Sequence, residues 1–214
     1  MSEKGFAFQT ISNFKRSLKA AFYTAIEDDC IRKNPFNFAL DTVIEDDRER
    51  KAALTPKQEE SLLAFMEQDA VYKKYRDEVI ILLGTGFRIS EFCGLTTALD
   101  FKNRQINVDH QLLRDTDIGY YVETPKTKKG IRQIPMSEEV YQALRRVLKN
   151  RSNAAPFSIE GYKNFLFLKN DGMPKVAANY ESMLKGLVKK YNKQNKQQLP
   201  NITPISSDTH SAHG

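Results

Sequence analysis

Apolar residues recur every three or four positions in several stretches of the chain, which is the spacing of an amphipathic helix. The first such stretch runs from Phe8 to Asp28 and ends before Asn34-Pro35, because the residue before a proline disfavours helical backbone. Its apolar stripe is predicted to face a core along its whole length and consists of Phe8, Ile11, Phe14, Leu18, Ala21, Phe22 and Ala25. Further helices are predicted from Arg76 to Leu83, from near Ile89, and from Lys175 to Tyr191.

Two more helices begin with explicit capping signals. Thr55 is followed by Pro56 and then by Gln58, which is the pattern of a capping box with proline at the first helical position. Ser137 precedes a second amphipathic stretch and is predicted to cap it.

The apolar period changes to two in the middle of the chain, which predicts strands at residues 105–109, 120–123 and 131–134. The last two flank a lysine-rich loop, Thr124–Gly130, and are predicted to pair as a hairpin. A short strand is also predicted at residues 165–168. Helices around a small antiparallel sheet give an α+β fold class.

Composition excludes several classes of protein. No run approaches the roughly 18 apolar residues that a membrane-spanning helix needs, so no membrane partner is expected. Two cysteines, Cys30 and Cys93, and three histidines give neither a disulfide framework nor a metal-ligand spacing. No metal site is therefore expected, and a cytoplasmic location is predicted. The net charge of +6 fits a polyanion partner without selecting nucleic acid.

The polar stretch from Glu45 to Lys51 contains few apolar residues. We interpret it as a linker between a small helical unit and a larger domain. The same residues fit a solvated helix face almost equally well.

The segment from Gly84 to Glu91 carries the first candidate chemistry. Two glycines permit a tight turn, and Arg88 falls at the start of the next helix, where the positive end of the helix dipole disfavours a cation. An arginine there suggests a neighbouring anion, and its planar fork suits two phosphate oxygens. Pairing of Arg88 with Glu91 on a surface turn is the alternative.

The lysine-rich loop is the second candidate. It holds Lys126, Lys128 and Lys129, and residues 102–151 contain eleven Lys and Arg against six Asp and Glu. Such a cluster can follow a phosphate backbone and would make binding salt-dependent. A solvated turn is the alternative.

These segments, in this order, resemble the catalytic domain of tyrosine recombinases (phage-type integrases), and among them the integrases of Tn916-like conjugative transposons. Residues 85–96 match the first catalytic box of the family, and residues 124–136 match its lysine-bearing β-hairpin. Residues 31–36 match the end of its helical core-binding domain. The resemblance covers about residues 6 to 204.

The resemblance implies a mainly helical catalytic domain with a small antiparallel sheet, preceded by the C-terminal helical part of a core-binding domain. The implied boundaries are 1–48 for a partial core-binding (SAM-like) domain, 49–54 for a linker, 55–204 for a partial catalytic domain and 205–214 for a tail outside the family pattern.

The resemblance also implies a chemistry, in which a tyrosine attacks a DNA phosphodiester, forms a 3′-phosphotyrosyl link and needs no metal or other cofactor. Arg88 would bind the scissile phosphate, and Lys126, with Lys128 as the fallback, would protonate the leaving 5′ oxygen. The implied phosphate contacts on double-stranded DNA are Lys126, Lys128, Lys129 and Arg132. The family assembles as a tetramer on DNA, whereas this chain is expected to be monomeric.

The sequence departs from the family after Pro204. The family continues with His-x-x-Arg-His and later the tyrosine nucleophile, whereas residues 205–214 match none of these positions. Synonymous codons for residues 205–214, read one nucleotide out of frame, give His-Ile-Leu-Arg-His-Thr-Phe-Cys-Thr-Arg, so we expect a frameshifted tail. A natural divergent tail is the alternative.

Met1 also falls inside the family's core-binding domain, so we expect a chain cut at both ends. The lineage function is site-specific recombination of a mobile element, and this chain is expected to be an inactive, DNA-binding remnant without a nucleophile. A generic basic helical protein is the remaining alternative. Because the helix from Lys175 to Tyr191 packs, by resemblance, against helices encoded after Pro204, its apolar side chains are expected to lose cover.

Overall fold

The computed structural model describes residues 5–46, 53–125, 130–151 and 157–202. The chain divides into two units, Met1–Lys51 and Ala52–Gly214. Among the described residues, no helix has the length and apolar character needed to cross a membrane.

The first unit contains helix α1, Phe8–Glu27, and a short 3-10 turn, Leu40–Thr42. The chain folds back after α1. The Asn34 side chain donates a hydrogen bond of 2.8 Å to the Lys19 carbonyl, and the ring of Phe36 packs edge-on against Phe22. The helix therefore ends where the sequence predicts.

The apolar stripe of α1 is only partly buried. Phe8 and Ile11 are buried, whereas Phe14 and Leu18 are 50% and 44% exposed. The prediction of a core-facing stripe along the whole helix is therefore wrong for its middle turns. Periodicity identifies the apolar face of a helix, but burial also requires neighbouring elements to cover that face.

The second unit is mostly helical and includes four short strands and one 3-10 turn, Lys73–Tyr75. Its helices are α2 (Pro56–Gln68), α3 (Arg76–Thr85), α4 (Ile89–Gly94), α5 (Glu138–Asn150) and α6 (Ala177–Gln194). Its strands are β1 (Gln105–Val108), β2 (Gln111–Asp115), β3 (Gly119–Glu123) and β4 (Arg132–Pro135). The predicted α+β fold class is confirmed.

Both predicted caps are present. The Thr55 N–H donates to the Gln58 side-chain oxygen at 2.9 Å, and the Gln58 N–H donates to the Thr55 hydroxyl at 3.4 Å, which completes the capping box of α2. The Ser137 hydroxyl accepts the Val140 N–H at the start of α5. These two helix starts follow from local sequence alone.

The predicted hairpin across the lysine-rich loop is wrong. Strand β3 pairs with β2, and β4 pairs with β1, in two separate antiparallel sheets. A tighter turn decides the pairing of β3, because Asp115 Oδ1 accepts the backbone N–H groups of Asp117 and Ile118, and Gly119 adopts φ +86°. The loop after β3 therefore crosses from one sheet to the other.

The predicted strand at residues 165–168 is present only as isolated bridges, Thr96 to Phe165 and Leu168 to Pro174. Its apolar residues are nevertheless core residues, since Phe165, Leu166 and Phe167 are each at most 2% exposed. A continuous apolar run indicates burial more reliably than it indicates strand geometry.

Helix α6 keeps its apolar cover within the described residues. Leu184, Leu187 and Val188 are at most 4% exposed and share a cluster with Leu62 and Met66 of α2. The expectation that this face loses cover is wrong for these three side chains. Helix α2, together with the buried Leu199, supplies contacts that the sequence reasoning assigned to later helices.

Candidate active site around Arg88

The turn between α3 and α4 places Arg88 at the N-cap of α4. Gly86 ends α3 in the left-handed conformation at φ +62°, where a side chain would be strained. Every residue of α4 is buried. Phe92 stacks on Phe167 at 4.1 Å between ring centroids and meets Tyr180 edge-on at 5.2 Å. The helix that presents Arg88 is therefore fixed in the core.

Glu91 is the anion beside Arg88. The Arg88 backbone N–H donates to Glu91 Oε2 at 3.0 Å, and its Nη1 donates to Oε1 at 3.0 Å. The pairing suggested by the sequence is thus present. It does not lie on a surface turn, because the Glu91 side chain is only 8% exposed, while Arg88 is 30% exposed.

Arg132 binds the same carboxylate from strand β4. Its Nη1 donates to Glu91 Oε1 at 2.9 Å, and its Nη2 donates to Oε2 at 2.7 Å. Each oxygen of Glu91 therefore accepts two hydrogen bonds. We call Arg88, Glu91 and Arg132 the arginine cluster.

The other predicted site residues, Lys126, Lys128 and Lys129, lie outside the described residues. Both ends of their loop are connected to α4. On one side, Ser90 donates to Gln111 at 2.8 Å, and Gln111 donates to Glu123 at 2.9 Å, at the end of β3. On the other side, Arg132 binds Glu91. The segments that flank the lysines are therefore held beside Arg88.

Sequence reasoning named Glu91 only as a possible partner of Arg88 and did not predict its contact with Arg132. The spacing of three residues between Arg88 and Glu91 at a helix start was the available signal. The link to Arg132 had no local signal, because 41 residues separate the two.

Opposing effects act on the Glu91 carboxyl. Burial raises its pKa, but the hydrogen bonds from Arg132 and from the Arg88 backbone, together with the positive charge of Arg132, lower it more, so its pKa lies below the usual value. The hydrogen bond to Glu91 raises the pKa of Arg132. The arginine cluster therefore holds one carboxylate and two guanidinium groups, with one net positive charge.

The ionised state of Glu91 predicts a pH dependence of stability. Because the folded-state pKa is lowered, the stabilisation is complete above the unfolded-state pKa of about 4.3 and is lost as the pH falls through the folded-state value. We expect Glu91→Gln to be about 2 kcal/mol less stable than wild type at pH 7. This gap, the difference in free energy of unfolding between wild type and Glu91→Gln, should close between about pH 5 and pH 3.

Urea unfolding of both proteins across this range measures the gap. Carboxyls elsewhere, such as Asp100 and Asp171, also have lowered pKa values, but their effects cancel in the difference between the two proteins. A gap that stays constant from pH 7 to pH 3 would show that folding does not lower the pKa of Glu91.

A second polar cluster lies in the core and was missed by the sequence reasoning. Lys175 Nζ contacts the Glu78 carboxylate oxygens at 2.6 and 2.9 Å, and the Tyr180 hydroxyl donates to Glu78 at 2.5 Å. Burial and the charge of Glu78 raise the pKa of Tyr180, so this hydroxyl stays protonated. Burial likewise raises the pKa of the nearby Cys93 thiol.

A cleft of about 470 Å³ lies beside this pair. Its lining residues come from the 3-10 turn, from residues 168–171, from Lys175 and from the first half of α6, and include Lys74, Lys169 and Asn179. The arginine cluster does not line it. In the described parts of the chain, no group of three or more histidine, cysteine or acidic side chains is arranged to hold a metal ion.

Comparisons with known proteins agree on one family. The model of the phage integrase family matches residues 52–205. The transposases of transposon Tn916 from Enterococcus faecalis and of transposon Tn1545 from Streptococcus pneumoniae are each 62% identical to this chain over 207 residues. That alignment covers 96% of this chain and 51% of each relative, so the chain spans about half the length of these curated relatives.

Solved structures of the Tn1549 transposon integrase have the same fold. One, in complex with a circular intermediate DNA, matches with a TM-score of 0.88 and 60% identity over 96% of this chain and 65% of the other. Another, in complex with transposon right end DNA, matches with a TM-score of 0.87 at the same identity and coverage.

Proposed function

Because the chain belongs to the phage integrase family, we propose that it binds double-stranded DNA through phosphate contacts centred on Arg88, at a site built for site-specific recombination of a mobile element. The observation that carries this proposal is the placement of a partly exposed arginine on a buried helix, between the tethered ends of a loop with three lysines. The DNA-bound Tn1549 integrase structures support DNA as the partner.

Each candidate residue has a distinct role in this proposal. Arg88 neutralises charge that develops on the non-bridging oxygens of the attacked phosphate. The bond from a tyrosine oxygen to phosphorus forms as the bond from phosphorus to the 5′ oxygen breaks. Lys126 donates the proton that the 5′ oxygen takes up. Lys128 takes this role in the alternative alignment of the loop with the family's lysine-bearing hairpin. The covalent link keeps the energy of the phosphodiester.

We propose that residues 1–48 form part of a core-binding domain and residues 55–204 part of a catalytic domain. Residues 205–214 carry none of the family's remaining catalytic residues. We propose that residues 1–214 by themselves form a cytoplasmic DNA-binding protein that is monomeric in the absence of DNA and does not catalyse strand exchange.

The lysine loop gives the first test of DNA binding. Each phosphate contact contributes about 0.9 to the slope of log affinity against log salt concentration on duplex DNA. Replacing both Lys126 and Lys129 by alanine should therefore reduce the slope by about 1.8, measured by fluorescence anisotropy over a salt range of roughly 50 to 200 mM.

A matched control replaces two exposed lysines outside the loop and outside residues 1–48, Lys57 and Lys185, by alanine. If this control pair changes the slope as much as the loop pair does, the effect reflects general charge and the loop is a solvated turn. If the loop pair leaves the slope unchanged, the loop makes no phosphate contact.

A further inference from the structure

We infer that Arg132 is a positioning residue that neutralises Glu91, so that the charge of Arg88 remains available for a DNA phosphate. This inference rests on the proposed phosphate contact of Arg88. It assigns Arg132 a role that differs from a direct phosphate contact, which is the role that the sequence suggested.

The geometry of the carboxylate carries the inference. Arg132 holds both Glu91 oxygens in a two-pronged contact of 2.7 and 2.9 Å, whereas the Arg88 side chain reaches one oxygen, at 3.0 Å. Bidentate pairs of this kind are the stronger and more directional ones. Glu91 is therefore neutralised mainly by Arg132.

The net charge of the arginine cluster depends on Arg132. Without Arg132, the buried carboxylate would have Arg88 as its remaining cation in the arginine cluster, and the cluster would have no net charge. With Arg132 present, the cluster keeps one positive charge. The Arg88 and Arg132 side chains are similarly exposed, at 30% and 34%, so it is the two-pronged contact of Arg132 with Glu91 that leaves Arg88 to present this charge. Arg132 thus counterbalances the anion that orients Arg88.

The backbone of Arg132 holds the end of the lysine loop independently of its side chain. Arg132 lies in β4, opposite Val108 of β1, two residues after the end of the loop. Replacing the Arg132 side chain is therefore expected to neutralise Arg88 and to leave the end of the loop in place.

Four variants of the full chain test the inference by salt-dependent binding to a duplex of about 30 base pairs. Arg88→Gln should lower the salt slope by about 0.9. Arg132→Gln should lower it by the same amount, because Glu91 then neutralises Arg88. Adding Glu91→Gln to Arg132→Gln should restore the wild-type slope, since no carboxylate then opposes Arg88. In the Arg88→Gln background, Arg132→Gln should have no further effect.

A direct phosphate contact gives a different pattern. In that case the Glu91→Gln, Arg132→Gln double variant stays about 0.9 below wild type, and the effects of Arg88→Gln and Arg132→Gln add. Either result overturns the inference while leaving DNA binding by Arg88 intact. If instead Arg88→Gln leaves the slope unchanged, the proposed function loses its central contact, and the inference falls with it.

Thermal unfolding of each variant checks that it folds. The Glu91→Gln, Arg132→Gln double variant is the safest one, because it removes one charge of each sign and the amide oxygen that Glu91→Gln introduces can still accept the Arg88 N–H. If Arg132→Gln alone does not fold, the comparison of wild type with the double variant still separates the two roles.

Discussion

Replacement of Lys175 by methionine is expected to destabilise the second unit by about 3–5 kcal/mol, because it leaves the Glu78 carboxylate buried without its cation. The Lys175 and Glu78 side chains are 14% and 11% exposed, so water can solvate the unpaired Glu78 carboxylate only poorly. The loss is measured as the change in free energy of unfolding in urea at pH 7.

Two controls accompany this measurement. Adding Glu78→Gln to Lys175→Met should recover much of the loss, since no charge is then left buried. Lys169→Met breaks an ion pair with Asp171 whose side chains are 29% and 58% exposed, and should cost at most about 1 kcal/mol. A loss below about 1 kcal/mol for Lys175→Met would show that the carboxylate is neutral or reaches water.

Loss of Arg88 is expected to have the largest effect on the rate of DNA cleavage, measured as formation of a covalent protein–DNA adduct. The polypeptide as printed should form no covalent adduct with a nicked suicide DNA substrate, because no tyrosine follows Pro204 in it. The frameshift hypothesis for residues 205–214 predicts that a protein translated through the restored reading frame forms one. In that protein, Arg88→Ala should reduce the rate of adduct formation by about 10²–10³-fold, the usual cost of removing a donor that stabilises transition-state charge.

The adduct is detected as a protein–DNA band that survives denaturing electrophoresis. Arg145→Ala serves as the matched control, because Arg145 is an exposed arginine of α5 that contacts Tyr141, and it should leave the rate within about twofold. An adduct formed by the printed polypeptide would contradict the account of residues 205–214. An unchanged rate of adduct formation by Arg88→Ala would show that Arg88 takes no part in DNA cleavage.

Local signals in the sequence predicted the helices well. The capping residues Thr55 and Ser137 fixed the starts of α2 and α5, and the Gly84–Arg88 turn fixed the start of α4. These features depend on contacts between residues three or four positions apart, so a single sequence is enough to find them.

Long-range pairing was not predictable in the same way. Strand β4 pairs with β1, although β3 is nearer in sequence, because β3 is already paired with β2 through the tight turn at Asp115 and Gly119. The ion pairs from Glu91 to Arg132 and from Glu78 to Lys175 span 41 and 97 residues. Nothing in the spacing of the charges selects those partners.

The family resemblance identified Arg88 and the lysine loop as candidates, and the structure adds the partner that orients Arg88. Sequence reasoning left open whether Arg88 binds an anion of the ligand or pairs with Glu91. The structure shows the pairing with Glu91. Because Arg132 also neutralises Glu91, this pairing is compatible with binding of a ligand anion by Arg88.

The most direct test of the central claim, that Arg88 contacts a DNA phosphate, is the salt dependence of duplex binding by Arg88→Gln compared with Arg145→Gln. Each change removes one positive charge, so the two variants have the same net charge. The account predicts that the salt slope falls by about 0.9 for Arg88→Gln and stays at the wild-type value for Arg145→Gln. Equal slopes for the two variants would contradict it.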